Sequence, residues 1–287
     1  MMNIPELISS TRNPKIKELL ELQEKSRDRR RTGLFVVEGR REIQHCIEAG
    51  FVPDTIFICP EIYGGTTEAG PSADLHLCGW VGPTEWEGAA EGQASGAPRT
   101  FRVTEEVYDK IAYRGGTEGI IAEMKARACS LEDLKLGKNP LIIVMESVEK
   151  PGNLGAILRS ADAAGADAVI ICDPLTDLYN PNLIRASIGA VFTVPTVACT
   201  SEEAISFLKG KGIRILTAQL QDSALYYDTD MTGGTAIVMG TESTGLTDIW
   251  RQAADAHIRI PMLGRLDSLN VSVSAAILLF EALRQRQ

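Results

Sequence analysis

From Pro140 onward the chain alternates apolar runs of strand length with segments of helix length, and that beat limits the fold more than any other feature. Strands are predicted at Leu141–Glu146, Ala168–Cys172, Thr193–Val197, Ile213–Ala218, Ala236–Gly240 and His257–Ile260. Helices are predicted at Asn153–Ala164, Pro181–Gly189, Ser201–Lys209, Leu246–Ala254 and Val271–Arg284. Strands alternating with helices of this length make βαβ units and a mainly parallel sheet. In such a sheet ligands bind in the crevice outside the carboxyl ends of the strands. Three short polar clusters fall at those ends: Asn153 to Arg159, Gly240 to Gly245, and Ile260-Pro-Met262 with Ser268-Leu-Asn270. One site built from distant parts of the chain is the expectation.

Residues 1–126 read as a smaller α/β unit. Asn13 to Ser26 carries Ile16, Leu19, Leu20 and Leu22 at helical spacing. Leu34–Val37 and Thr55–Cys59 are strand-like, and Glu38–Gly50 between them reads as a helix stopped by a glycine. Residues 61–100 turn rich in Gly, Ala, Glu and Pro, which predicts a surface loop or insertion. The pattern resumes with a strand at Phe101–Val103, a helix from Thr104 to about Ala112 and a strand at Gly119–Met124. Residues 127–139 are expected to link this unit to a second domain over 140–287.

Several function classes are disfavoured. The longest apolar runs are far too short to span a bilayer, and the N-terminus lacks the basic start and apolar core of a signal peptide, so the expected location is cytoplasmic. The six cysteines are scattered without a C-x-x-C, and with three histidines no metal-ligand spacing appears. A net charge of −9 argues against a nucleic-acid partner when taken as an average. The distribution is uneven, however. Ten basic residues stand against seven acidic ones between Met1 and His45, among them Arg12, Lys15, Arg29, Arg30, Arg31, Arg40 and Arg41. A local basic patch can survive a negative total. The run Arg27–Arg31 could equally be a solvated helix end.

Each cluster alone has a modest reading. Asn153 suits a helix cap and could be only that. Arg159 stands among Ala156, Ile157, Leu158 and Ala161 on a helix fit for burial, and a buried arginine needs an anionic partner. Gly240 and Gly245 allow close backbone approach, with Glu242 held between them. Ser268 or Asn270 is a sound cap for the apolar helix that follows. A dinucleotide site is the obvious competitor, yet Gly152-Asn-Leu-Gly155 lacks the G-x-G-x-x-G spacing. Covalent hydrolase chemistry is disfavoured because G-x-S-x-G is absent.

Taken together, Asn153-x-Gly155-x-x-x-Arg159, Gly240-x-Glu242-x-x-Gly245 and Ile260-Pro-Met262 with Ser268-Leu-Asn270 closely resemble the three signature motifs of the SpoU (TrmH) branch of the SPOUT RNA methyltransferases. The resemblance covers roughly Pro140 to Arg284. Residues from about Thr11 to Met124 look like that family's substrate-binding domain, which resembles the ribosomal L30e fold, with Phe35-Val-Val-Glu-Gly39 as the best match. The resemblance implies S-adenosylmethionine-dependent methyl transfer to a ribose 2′-oxygen of RNA, ribosomal RNA before transfer RNA. It also implies a C-terminal trefoil knot, a rare exception among folds, and a homodimer. Gly240, Ile260 and Leu269 would hold the cofactor. Asn153, Arg159, Glu242, Ser268 and Asn270 would form the catalytic polar site, and the seven N-terminal basic residues named above would contact RNA. A non-catalytic RNA-binding protein keeping the fold is the alternative of another class.

Overall fold

The computed structural model describes residues 5–63, 98–113, 118–241, 244–265 and 268–287. Most of the 61–100 segment expected as an insertion, and Glu242, lie outside the described residues. The chain divides into two compact units, residues 1–127 with 179–181 and residues 128–178 with 182–287. Among the described residues no helix is long and apolar enough to cross a membrane.

Unit 1 runs β1 (Glu6–Ile8), α1 (Pro14–Glu24), α2 (Ser26–Thr32), β2 (Leu34–Glu38), α3 (Arg40–Glu48), β3 (Pro53–Ile58), α4 (Pro60–Tyr63), β4 (Arg99–Val103), α5 (Glu105–Ile111) and β5 (Ile120–Lys125). Asn13 caps α1 by accepting from the Lys15 N–H at 2.8 Å, and Pro14 opens the helix, where its missing N–H is no loss. Ile16, Leu19 and Leu22 form its buried stripe. The helix expected from Glu38 begins only at Arg40, because Glu38 completes β2 and Gly39 turns with φ +100°. The described strands form a mixed sheet ordered β1-β4-β3-β5-β2, with β5 antiparallel to both β2 and β3. Glu123 on β5 is 3% exposed, and its Oε1 has no hydrogen-bond partner among the described residues. Burial pushes this carboxyl up to about 7, against a smaller lowering by the Thr55 hydroxyl.

Unit 2 runs β6 (Leu141–Glu146), α6 (Pro151–Ala163), β7 (Ala168–Cys172), α7 (Pro181–Ser187), α8 (Ala190–Thr193), β8 (Thr196–Cys199), α9 (Ser201–Gly210), β9 (Arg214–Ala218), β10 (Ala224–Leu225), β11 (Thr235–Met239), α10 (Asp248–Ala253), β12 (Ala256–Arg259) and α11 (Val271–Arg286). Its described strands pair in parallel throughout, in the order β10-β12-β9-β11-β6-β7-β8. Strands β6, β7 and β11 are buried along their whole length, which is why they read as continuous apolar runs. The strand expected at Thr193–Val197 starts later. Pro195 cannot donate to a ladder, so β8 opens after it, and residues 190–193 form a helical turn instead. The order places β11 between β6 and β9, so the loops after β6 and β11 emerge side by side. The far end of α11 closes the unit. Arg286 donates to the carbonyls of Met231 at 2.9 Å, Asn139 at 2.8 Å and Gly233 at 2.7 Å.

Candidate active site at the strand ends of unit 2

The loop after β6 carries the first cluster. Helix α6 begins at Pro151, and the position before it, Lys150, makes no side-chain cap. Asn153 therefore sits in the first turn and is not the cap anticipated from sequence. Its Oδ1 instead accepts a hydrogen bond from Asn270 Nδ2 at 3.2 Å, across 117 residues of chain. Gly155 explains itself by packing: a Cβ there would lie 2.5 Å from Ala186 Cβ and 2.8 Å from the Ser187 nitrogen, so only glycine lets α6 meet α7. Leu154, Ile157, Leu158 and Ala161 are the buried stripe of α6, and Arg159 falls off that stripe. The burial expected for Arg159 is thus corrected. It is exposed, and among the described residues it makes no ion pair, which leaves its guanidinium available to an anion from outside.

The second cluster follows β11. Thr241 and Gly245 exchange backbone hydrogen bonds at 3.3 and 3.1 Å, closing a tight loop, and Thr244 N–H donates to Thr241 Oγ1 at 3.1 Å. Both glycines are required by that closure. Gly245 has φ +68°, and a Cβ on Gly240 would drive into the carbonyl of Gly245. Leu246, 4% exposed, pins the loop to the core. One residue later, Thr247 donates to Glu146 twice, from N–H at 2.9 Å to Oε2 and from Oγ1 at 2.5 Å to Oε1. Glu146 ends β6 and is 3% exposed. Sequence reasoning passed over it as the last residue of an apolar strand. A carboxylate at a strand's carboxyl end was the available signal, since burying one demands donors nearby.

The third cluster follows β12. Ile260 is half-buried directly beyond the strand, while Ser268, Leu269 and Asn270 are exposed. Asn270 caps α11: its Oδ1 accepts from Ser272 N–H at 3.0 Å and Ser272 Oγ at 2.6 Å, and its Nδ2 reaches Asn153. One side-chain amide thus ties the start of α11 to the first turn of α6. Among the described site residues the hydrogen bonds join Asn153 to Asn270; none joins Ser268 or Arg159 to them.

The basic residues of unit 1 separate into different roles. Arg12 and Arg30 are exposed. Lys15 pairs with Glu18 at 2.5 Å, Arg31 with Asp28 at 3.1 Å and Arg41 with Glu42 at 3.5 Å, surface pairs of little strength that a phosphate can displace. Arg40 lies 4.0 Å over the Tyr63 ring and donates to the Tyr63 carbonyl. Arg29 departs from the expectation of an RNA contact. It is 4% exposed and donates to Leu22 O at 2.6 Å and Gln23 O at 3.1 Å, carbonyls in the last turn of α1.

Among the described residues no group of three or more His, Cys, Asp or Glu is placed to hold a metal ion. What the strand ends offer is backbone, glycine-bounded loops, amides and the exposed Arg159. The fold and this arrangement define a parallel α/β protein whose candidate site is the crevice at the strand ends. Residues 140–280 match the SpoU rRNA Methylase family, and residues 13–122 match the MRM3-like substrate binding domain. A 23S rRNA (guanosine-2′-O-)-methyltransferase, RlmB, of Vibrio vulnificus is 38% identical over 64% of this chain and 77% of its own. The 23S rRNA (guanosine(2553)-2′-O)-methyltransferase RlmP of Bacillus subtilis is 26% identical over 95% of this chain and 97% of its own. The crystal structure of an AdoMet-bound rRNA methyltransferase from Sinorhizobium meliloti, 26% identical, superposes with a TM-score of 0.82 over 98% of both chains. The chain belongs to the SpoU rRNA methylase family.

Proposed function

We propose that this protein transfers a methyl group from S-adenosylmethionine to the 2′-hydroxyl of a guanosine ribose in 23S ribosomal RNA. The observation that carries the reading is the Asn153–Asn270 bridge, which joins the first and third clusters, with the Gly240–Gly245 turn at the strand end next to the first. The guanosine and the 23S molecule come from the named activities of the two relatives.

The residues present suit the cofactor. The absence of a Cβ at Gly240 and the closed turn beyond it leave backbone groups at the crevice, and Gly240, Ile260 and Leu269 would hold the cofactor there. S-adenosylmethionine supplies an electrophilic methyl on sulfur. The protein's task is then to bind the ribose, align its 2′-oxygen and favour loss of the hydroxyl proton. Asn153 and Asn270, already locked to each other, orient the ribose with Ser268. Arg159 grips a neighbouring phosphate and stabilises charge building on the 2′-oxygen. A guanidinium does not give up its proton, so it acts as an electrostatic clamp and not as a base. Glu242 braces the cofactor loop.

Unit 1 serves as the L30e-like RNA-binding domain, with Arg12, Lys15, Arg30, Arg31, Arg40 and Arg41 on phosphate. The C-terminal chain, after β11 enters the sheet between β6 and β9, threads into a trefoil knot before α11 returns to α6. The protein is a cytoplasmic homodimer. Helix α11 supports that pairing: Val273 and Phe280 are each 47% exposed on one face of a helix whose other face is core.

The test is twofold. Recombinant protein should place one 2′-O-methyl on 23S RNA in a cofactor-dependent manner, and a deletion strain should lack that single mark. Arg159→Lys should reduce turnover about a hundredfold with cofactor affinity unchanged, because a point charge cannot replace the planar fork. Near-full turnover by that variant would remove bidentate geometry from the mechanism.

A further inference from the structure

The sheet carries a pair of thiols that the methyl transfer does not use. Cys172 closes β7 and Cys199 closes β8, and the two are direct register partners on neighbouring parallel strands. Register partners in a parallel ladder point to the same face of the sheet, at a Cα spacing inside the range a disulfide spans. Both are free thiols. Cys172 is completely buried, whereas Cys199 is half-buried and lines an open groove of about 560 Å³ between the end of β8, helix α9 and residues 129–132. A peroxide, about the bulk of one or two water molecules of roughly 30 Å³, has ample room there.

Their surroundings hold the pair in place. Ser147 N–H donates to the Cys172 carbonyl and Asp173 N–H to the Cys199 carbonyl, each at 2.9 Å. Asp173 then accepts from Ser201 Oγ at 2.6 Å, and Ser201 Oγ accepts from Trp250 Nε1 at 3.0 Å. The hydrogen bond between the sulfurs, with burial second, raises the Cys172 thiol, and the same bond lowers that of Cys199 despite burial and the nearby Glu203 and Asp173. The groove-facing Cys199 sulfur is the one an incoming peroxide reaches first, with the buried Cys172 sulfur beside it.

We propose that Cys199 is a peroxide-reactive site and that Cys172 is its resolving thiol. The Cys199 thiolate attacks one peroxide oxygen; the O–O bond breaks, hydroxide leaves and takes up a proton as water, and a sulfenic acid remains. The Cys172 sulfur then attacks Cys199 Sγ, the S–O bond breaks, and its own proton leaves with the hydroxyl as a second water. Sulfur has lost two electrons, and the peroxide has gained them. A disulfide whose Cys199 sulfur faces the groove is open to attack by a thiol reductant and hence reversible.

The experiment exposes the full-length protein to one equivalent of hydrogen peroxide and maps it without reduction. Arg159 and Arg185 place the two cysteines in different tryptic peptides, so the link appears as a joined pair about 2 Da lighter than its parts. The joined pair should form at least about tenfold faster than oxidation of Cys129, which faces the same groove, and dithiothreitol should undo it. Cys199→Ser should leave Cys172 reduced, and Cys172→Ser should leave a sulfenic acid at position 199 that dimedone captures. Oxidation of Cys129 ahead of the pair, a Cys129–Cys199 link, or a wild-type rate of Cys172 oxidation in Cys199→Ser would each overturn the proposal.

Discussion

Each unit buries a glutamate on a strand, and the two are treated oppositely. Glu146 sits at the carboxyl end of β6, where Thr247 supplies both a backbone and a hydroxyl donor. Glu123 sits within β5, where ladder neighbours occupy the backbone groups and Oε1 is left without a donor. One carboxylate is held by two donors from the loop after β11; the other holds its proton up to about pH 7. Position along the strand decides the difference. Strand ends expose N–H groups that can be turned onto a carboxylate, and strand middles do not.

That contrast can be broken at four places. The largest effect is expected at Glu123. Its folded pKa of about 7 lies above the ordinary 4.5, so the folded state keeps a proton that the unfolded chain has lost. Stability is whole below about 4.5 and is lost as pH rises to about 7; Glu123→Gln should restore on the order of 3 kcal/mol at pH 8 and flatten the slope. Urea unfolding at pH 5 and 8 measures it, and a wild type with equal stability at both would end the argument. Next comes Gly240→Ala, whose methyl group meets the Gly245 carbonyl. Activity should fall about a hundredfold, near 2.7 kcal/mol, with cofactor binding lost in calorimetry and unit 1 unaltered in hydrogen exchange. Third, Glu146→Gln keeps the shape but turns one of the two acceptor oxygens that Thr247 donates to into a donor, for a loss of about 1.5 kcal/mol. If it stabilised the protein as Glu123→Gln is expected to, the two sites would not differ in kind. The smallest change is Asn270→Ala, at about 1 kcal/mol from the cap, read as a drop in melting temperature.

The two units were unequally legible in the sequence. Strands β6 and β7 were predicted residue for residue, because both faces are covered and every position but the terminal Glu146 is apolar. The two-residue β10 left no pattern to read, and β8 was placed too early because Pro195 looked like part of an apolar run when it is the reason the strand cannot begin. In the site, the glycines were legible and their reasons were not: Gly155 answers to Ala186 on another helix, and Gly240 to a carbonyl five residues on. Asn153 read as a cap because a lone asparagine near a helix start says nothing about a partner 117 residues away. Arg29 misled in the opposite sense. Within a run of four basic residues it is the one turned inward, and charge pattern carries no such distinction.

The grip of Arg286 on the carbonyls of Met231, Gly233 and Asn139 imposes an order in time. A ribosome makes Asn139 long before it makes residue 286, and Asn153 likewise waits for Asn270. Until helix α11 has emerged, the growing chain lacks the Asn153–Asn270 bond on which the proposed site rests. If the proposed site is the active one, such a nascent chain has nothing finished with which to modify the ribosome that is producing it.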